Sequence, residues 1–480
     1  MSSSKSSVEM AENGIGDRGS DDAVAPISAA EEAAVIRKLD FRLLPLLFVL
    51  YSFSVLDRSN LGNAKLAGLE TDINLRGNNY EWLGTAFYIS YILFQWTTIG
   101  WKQFKPHKWV AFVVFYWGFV ATIQACVTNW GGLMVCRVFL GMSEAMYGPG
   151  VPLYLSYFYP HDRIGFRQGI FLSGSALANA YGGVLGYGLS HIRGSVAPWK
   201  ILFIIEGLPT VILAAVAWFC IPDSINTASF LTKREKDVAK SFVSRGQQVE
   251  TGPDEGIRLK HLLEAFKDPI SYIPSLMYFS CNVCFASLPL FVPTIIAEMG
   301  SFTSVQSNGL SAPPYLLTFF TIILVAFLSD KFRMRGPFCA GAACVAAVGF
   351  ILLATTKSTP PRYLGVFLAI NIFVSVAMLL TWTSNMHASQ SKRAGGYVIL
   401  ATVGQCGPLL GTNIFPKSEG PYYRKGMWIS CAFCLLVALL ATSLSFILIK
   451  KNRKMDKEEA AAINAGGDVD VLENRFRYIF

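Results

Sequence analysis

Apolar residues in this chain are gathered into long runs, and polar residues are confined to short stretches between them. Twelve such runs fall near 41–66, 80–100, 108–128, 131–156, 167–190, 199–221, 270–296, 308–329, 337–356, 362–386, 395–415 and 426–449. A run of about 20 residues, rising 1.5 Å per residue, crosses a hydrocarbon layer about 30 Å thick. Backbone groups in lipid must pair internally, so the runs are expected to be helices rather than strands. The pattern therefore predicts an all-α membrane protein with twelve transmembrane helices.

The longer polar stretches divide the chain. Residues 1–38 are rich in Ser, Gly, Ala, Asp and Glu and have no apolar core, which predicts a disordered tail and not a cleavable signal; the first helix itself would direct insertion. A second polar stretch, 222–268, separates a six-helix bundle over 39–221 from another over 269–450, and a short amphipathic helix is expected in it around Lys233 to Phe242. Residues 451–480 read as a mobile tail.

Composition agrees with this division. The chain is 52% hydrophobic and 15% charged, with a mean hydropathy of +0.41, whereas a soluble protein carries roughly 25% charged residues. A net charge of +9 taken alone suits a nucleic-acid binder. However, most of the 41 Lys and Arg lie in the tails and in loops on the same side, including Lys102, Lys105 and Lys108 and the group Lys450, Lys451, Arg453 and Lys454. This is the positive-inside bias, so both termini are expected in the cytoplasm, with the basic residues against lipid headgroups and no nucleic-acid partner. The ten cysteines sit almost wholly within the runs and read as small hydrophobes; the Cys281-to-Cys284 spacing in an apolar helix reads as packing. No metal cluster, nucleophile-base set or phosphate loop is present in the sequence, so neither an enzyme nor a cofactor is expected.

Charge inside the runs changes the picture. The first run carries Asp57 and Arg58, and the fourth carries Arg137 and Glu144. Ionisable groups at membrane depth are costly and by default mark an ion or substrate route. A guanidinium keeps its charge when buried and matches a carboxylate, which makes Arg58 the candidate partner of an anionic substrate. Asp57, about 100° around the helix, faces elsewhere and suits a proton site. Arg137 and Glu144 are two turns apart on one face, about 10 Å, and desolvation near mid-membrane favours the protonated form of Glu144. The alternative is a permanent buried ion pair that only fixes helix packing. Tyr88, Tyr91 and Gln95 form a stripe on the second helix, and Tyr51 and Ser54 share the Arg58 side of the first. Such stripes serve packing as well as substrate contact, and both readings stand.

A weak repeat relates the halves. The loop after the eighth run reads Leu328-Ser329-Asp330-Lys331-Phe332-Arg333-Met334-Arg335-Gly336-Pro337, and its counterpart after the second reads Gly100-Trp101-Lys102-Gln103-Phe104-Lys105-Pro106. Both place basic residues at the cytoplasmic mouth, as an internal duplication would. Asp330 with Arg333 or Arg335 suits a gating latch; ordinary loop charge is the alternative.

With twelve helices, a six-plus-six division and these loops, the chain resembles the major facilitator superfamily. Asp40-Phe41-Arg42-Leu43-Leu44-Pro45, Leu56-Asp57-Arg58-Ser59-Asn60-Leu61-Gly62-Asn63-Ala64 and Arg137-Val138-Phe139-Leu140-Gly141-Met142-Ser143-Glu144-Ala145 resemble its anion:cation symporter branch. Phe203-Ile204-Ile205-Glu206-Gly207-Leu208-Pro209-Thr210, running on to Ile221-Pro222-Asp223-Ser224, is similar to the fungal allantoate, nicotinate and pantothenate permeases, and Thr381-Trp382 with Asn385, Lys392 and Arg393 extends the likeness. The resemblance covers roughly 38–450 and implies the major facilitator fold and proton-driven uptake of small carboxylates across the plasma membrane. It implies Asp57 and Glu144 as coupling carboxylates, with Arg137 pairing alternately with each. It adds Ser175, Asn179, Trp382 and Gln405 as substrate contacts, beside Arg58, Tyr51, Tyr88 and Tyr91, and a packing or gating role for Glu206.

Gln405 departs from the usual Asn of that group, Gln95 from Glu, and Trp96-Thr97-Thr98 from Ile-Pro-Ser, which puts the substrate in doubt more than the coupling. The glycines Gly182, Gly183, Gly186 and Gly188 lack the proline of drug:proton antiporters. The reading is a monomeric proton symporter for a vitamin-like carboxylate such as nicotinate. An exporter of a secondary-metabolite acid and a non-transporting nutrient sensor are the alternatives.

Overall fold

The structure, a computed structural model, describes residues 27–160, 163–189, 196–245, 267–300, 302–384, 386, 390–464 and 478–479. Among them the chain is helical throughout, with no strand. The first half contains α1 (Ala29–Ser59), α2 (Asn79–Leu93), α3 (Pro106–Ile123), α4 (Trp130–Ala145), α5 (Ile164–Leu189) and α6 (Pro198–Cys220). A helix over Lys233–Arg245 lies in the linker. The second half contains α7 (Tyr272–Met299), α8 (Ser304–Phe332) and α9 (Gly336–Thr355). It continues with α10 (Thr359–Ala369 and Ile372–Ser384), α11 (Gln390–Gly404 and Gly407–Gly411) and α12 (Arg424–Asn464).

Two ends differ from the sequence expectation. The helix α1 starts at Ala29, inside the stretch expected to be a disordered tail, because Ser28 and Glu31 form a reciprocal cap: Glu31 N donates to Ser28 Oγ at 3.2 Å and Ser28 N to Glu31 Oε2 at 3.0 Å. The helix α12 runs on to Asn464, well beyond its apolar run. Arg234, Glu235 and Lys38 hold the start of α1 to the linker helix, with Lys38 Nζ donating to Glu235 Oε2 at 2.8 Å. We refer to the face bearing Ala29, the linker helix and the end of α12 as the tail side.

Among the described residues, eight helices are long and apolar enough to cross a membrane outright, including those starting at Ala29, Pro106, Pro198 and Tyr272. The helices α2, α4, α5 and α11 fall short of that measure. The first passes into a 3-10 turn at Gln95–Ile99, α4 breaks at Gly148–Gly150, and α11 breaks between Gly404 and Gly407. The helix α5 is long but carries Arg167, Gln168, Ser173, Ser175 and Asn179 in its buried face. Irregular backbone and polar groups in these helices are tolerated against protein or water rather than lipid, while apolar residues such as Trp82, Phe139, Tyr181 and Val398 stay exposed on them. Large exposed apolar residues such as Phe112, Phe115, Phe119, Phe219, Phe320 and Leu439 cover the outward faces of α3, α6, α8 and α12.

On the side away from the tails the two halves meet closely. Tyr80 donates to the Leu290 carbonyl at 3.2 Å, the Thr85 and Thr412 hydroxyls are 3.0 Å apart, and Asn413 Nδ2 donates to Thr85 Oγ1 at 3.2 Å. Lys417 Nζ reaches Glu70 Oε1 at 2.7 Å across the surface. Only glycine fits at position 62, since a Cβ there would stand 2.5 Å from the Pro289 carbonyl oxygen. Interhelical hydrogen bonds in membranes contribute about 0.6 kcal/mol each. A seam of a few such bonds closes the far side yet opens at modest cost.

Candidate functional site

Below this seal, between the halves, lies a cavity of about 90 Å³ that opens toward solvent. Its wall is built from Tyr51 and Arg58 of α1, Tyr88 and Tyr91 of α2, Gln168 and Phe171 of α5, Tyr278, Asn282 and Phe285 of α7, and Tyr397 and Gln405 of α11. The tail-side parts of α2, α4 and α10 contribute Gln95, Pro149 and Leu380, so the space extends toward the tail side.

Arg58 is the charged group on that wall. Its Nη2 is 3.1 Å from Oε2 of Glu144, which also accepts from Ser54 Oγ at 3.1 Å. The guanidinium lies over the rings of Phe87 and Tyr91, at 5.6 and 5.7 Å from their centroids. Glu144 has no exposed side-chain surface, whereas 15% of the Arg58 side chain remains accessible. One arm of the fork is thus held by an internal carboxylate, while Arg58 Nε and Glu144 Oε1 have no hydrogen-bond partner. An anion entering the cavity meets a cation already aligned by two aromatic rings.

Asp57 and Arg137 form a separate centre behind this pair. Both are buried, and Arg137 Nη1 donates to the backbone carbonyls of Asp57 and Arg58, each at 3.4 Å. In this conformation Arg137 stands with the α1 backbone, and Glu144 belongs to Arg58. The two-turn spacing along α4 separates Arg137 and Glu144 by more than an ion-pair distance, and the neighbouring α1 supplies the partner for each.

The sequence-derived candidates separate on this geometry. Tyr51, Arg58, Tyr88, Tyr91 and Gln405 line the cavity, and Gln405 Nε2 donates to Tyr278 Oη at 3.3 Å. Asn179 lines a smaller adjoining recess with Arg58 and Arg137. Ser175 is buried and donates to the Leu172 carbonyl at 2.7 Å, away from the main wall. Trp382, expected as a substrate contact, lies elsewhere: it is buried at the tail-side end of α10 and its Nε1 donates to the Ile479 carbonyl at 2.7 Å. Its position near the end of the helix, against Gly336 of α9, puts it beyond the cavity's reach. Asn385 lies outside the described residues, as do the side chains of Lys392 and Arg393.

Asp330 and Arg335 form an ion pair at the tail side, where Arg335 Nη1 also donates to Ser329 Oγ at 3.0 Å. The pair rests on Gly165 of α5, where a Cβ would stand 2.9 Å from Asp330 Oδ1, so it sits on the interface between the halves. Arg333 is exposed and ends α8 in a left-handed conformation.

Gln168, Tyr278, Asn282 and Phe285 escaped the sequence reading. The last three follow an i, i+4, i+7 spacing on α7, a polar-aromatic stripe in an otherwise apolar helix that was open to detection. Gln168 is 2% exposed with neither amide atom hydrogen-bonded, and nothing in its sequence context distinguishes it from helix-end polarity.

Comparison with known proteins follows the same line. The Major Facilitator Superfamily profile matches residues 47–412. The major facilitator-type transporter hxnP of Emericella nidulans is 32% identical over 452 residues, covering 92% of this chain and 90% of that one. The high-affinity nicotinic acid transporter of Saccharomyces cerevisiae is 31% identical, covering 92% and 82%. The solved structure of the proton:xylose symporter XylE has a TM-score of 0.63 at 15% identity, covering 83% and 95%. A cavity between the two halves, closed on one side, suits a carrier, and this chain belongs to the Major Facilitator Superfamily of membrane transporters.

Proposed function

We propose that the protein is a proton-coupled symporter that takes up a small organic anion, a vitamin-like carboxylate such as nicotinate, across the plasma membrane. The tail side is the cytoplasmic side, in keeping with its basic loops, and the conformation described is closed to the outside.

The reading rests on the Arg58–Glu144 pair. A substrate carboxylate that takes the guanidinium displaces Glu144, which is then left buried with only the more distant Arg137 as a cation. An unpaired buried carboxylate is costly enough that the group takes up a proton instead. Substrate binding and proton loading are thereby one event, and release to the cytoplasm restores the internal pair as Glu144 gives its proton up. Asp57 and Arg137, behind the pair, take part in moving the proton. Aromatic walls at Tyr51, Tyr88, Tyr91 and Phe171 suit a flat ring, and 31% identity with a nicotinic acid transporter, in an alignment covering 92% of the chain, supports the same class. Asp330 with Arg335 serves as the cytoplasmic gate.

A pH-jump uptake screen in cells expressing the chain, with nicotinate, pantothenate, biotin, allantoate and dicarboxylates, tests this. Accumulation of a monocarboxylate that rises with an inward proton gradient is expected. Uptake indifferent to the gradient for every compound would remove the symport reading.

A further inference from the structure

Behind the Arg58–Glu144 pair is a carboxyl group that the transport scheme leaves unused. Glu206 of α6 has no accessible surface, and neither of its carboxylate oxygens has a hydrogen-bond partner. The charged groups acting on it among the described residues are Asp57 from α1 and Arg137 from α4; none comes from α3 or α5, which also pack on α6. Thr210, one turn further along α6, donates to the Glu206 carbonyl at 2.9 Å and also meets the Asp57 side chain, so the two acids share a neighbour. Asp57 Oδ2 is without a partner, and so are Arg137 Nε and Nη2.

Arg58 and Arg137 are two cations; Glu144, Asp57 and Glu206 are three acids, and all but Arg58, which keeps 15% of its side chain accessible, are buried. A cluster that cannot hydrate an excess charge approaches neutrality by binding protons. With Glu144 ionised against Arg58, one proton remains to be shared between Asp57 and Glu206 around the single guanidinium of Arg137.

We propose that Glu206 is a proton-carrying residue of the transport cycle, sharing one resident proton with Asp57 beside Arg137. When substrate displaces Glu144, the resident proton passes to Glu144, whose oxygen gains the O–H bond that Asp57 or Glu206 loses. Both of those acids are then ionised about Arg137, and the excess negative charge is relieved by a new proton drawn from outside. After release inside, the proton leaves Glu144 for the cytoplasm and the Arg58 pair reforms. The inference deepens the proton-coupled reading and rests on it for the transfer step, but the resident proton itself requires no substrate.

Infrared spectra of the purified full-length protein in detergent at neutral pH, without substrate, test the resident proton through the C=O stretch of a buried protonated carboxyl. Wild type minus Glu206→Gln is expected to show that band, because in the variant two acids balance two cations and no proton is retained. Asp57→Asn is expected to remove the same band, leaving Glu206 ionised. Glu206→Asp is expected to keep the band at a shifted frequency, and it serves as the reporter if the Gln variant fails to fold. A band unchanged in both neutralising variants, or unshifted in Glu206→Asp, overturns the proposal. An intact band together with uptake insensitive to the proton gradient would count against symport while leaving the shared proton in place.

Discussion

Arg58 Nη2 lies 3.1 Å from Glu144 Oε2, so the cation facing the cavity is paired in this state with a carboxylate from the adjacent helix. On the proposed reading the pair is a two-position device. Its guanidinium serves either the internal acid or an incoming anion, and the two are mutually exclusive on the same arm. Glu144→Gln is expected to abolish proton-driven accumulation while sparing substrate exchange, since the amide cannot carry the proton but leaves Arg58 available. Gradient-driven uptake against counterflow in proteoliposomes measures both; full gradient-driven uptake in the variant would reject its coupling role.

Arg58→Lys keeps the charge and loses the fork and the stacking on Phe87 and Tyr91. Loss of about 1.5 kcal/mol of charge-assisted bonding corresponds to a roughly tenfold weaker apparent affinity. Competition binding at fixed pH gives the number, and an unchanged affinity would move the carboxylate site elsewhere.

How much of this was legible in the sequence depends on the kind of interaction. The spans follow from apolar run length, a one-dimensional property, and charge inside those runs marked Asp57, Arg58, Arg137 and Glu144. Which cation holds which acid is a property of how α1 lies against α4. The resemblance implied Arg137 pairing alternately with Asp57 and Glu144, and in this conformation Arg58 holds Glu144 while Arg137 donates to the α1 backbone. Trp382 shows the same limit in reverse, since its motif was evident but its depth along α10 was not. Trp382→Phe is accordingly expected to leave substrate affinity unchanged while freeing the segment at Ile479, read by hydrogen exchange there; a loss of affinity would return Trp382 to the substrate path.

The far-side seal offers a test of alternating access. Gly62→Val places side-chain atoms where the Pro289 carbonyl oxygen stands, 2.5 Å from the Cβ position. The outer face can then no longer close, and the carrier is expected to lose transport but retain substrate binding from outside. A thiol reagent reaching an engineered Thr85→Cys from outside reports the opening; a protected thiol with normal uptake would show that the glycine contact is dispensable.

The linker clasp responds to acid. The hydrogen bond from Lys38, followed by that from the Thr232 backbone, holds Glu235 below the usual carboxylate range. A depressed folded value means the clasp contributes above the unfolded value, about 4.3, and is lost as pH falls through the lower folded one. Proteolysis at the linker helix is expected to accelerate only below that range. Glu235→Gln should shrink that acid step, the remainder belonging to the Arg234–Glu31 pair, and a variant that keeps the full step would assign it to another group.

The displacement of Glu144 from Arg58 by substrate is tested most directly by proton uptake on binding. Nicotinate, or whichever acid the uptake screen identifies, is added to purified protein in weakly buffered detergent solution with a pH indicator. The account predicts net uptake of protons that saturates with binding and disappears in Glu144→Gln while binding persists. Binding without proton uptake, or the same uptake in that variant, would contradict it.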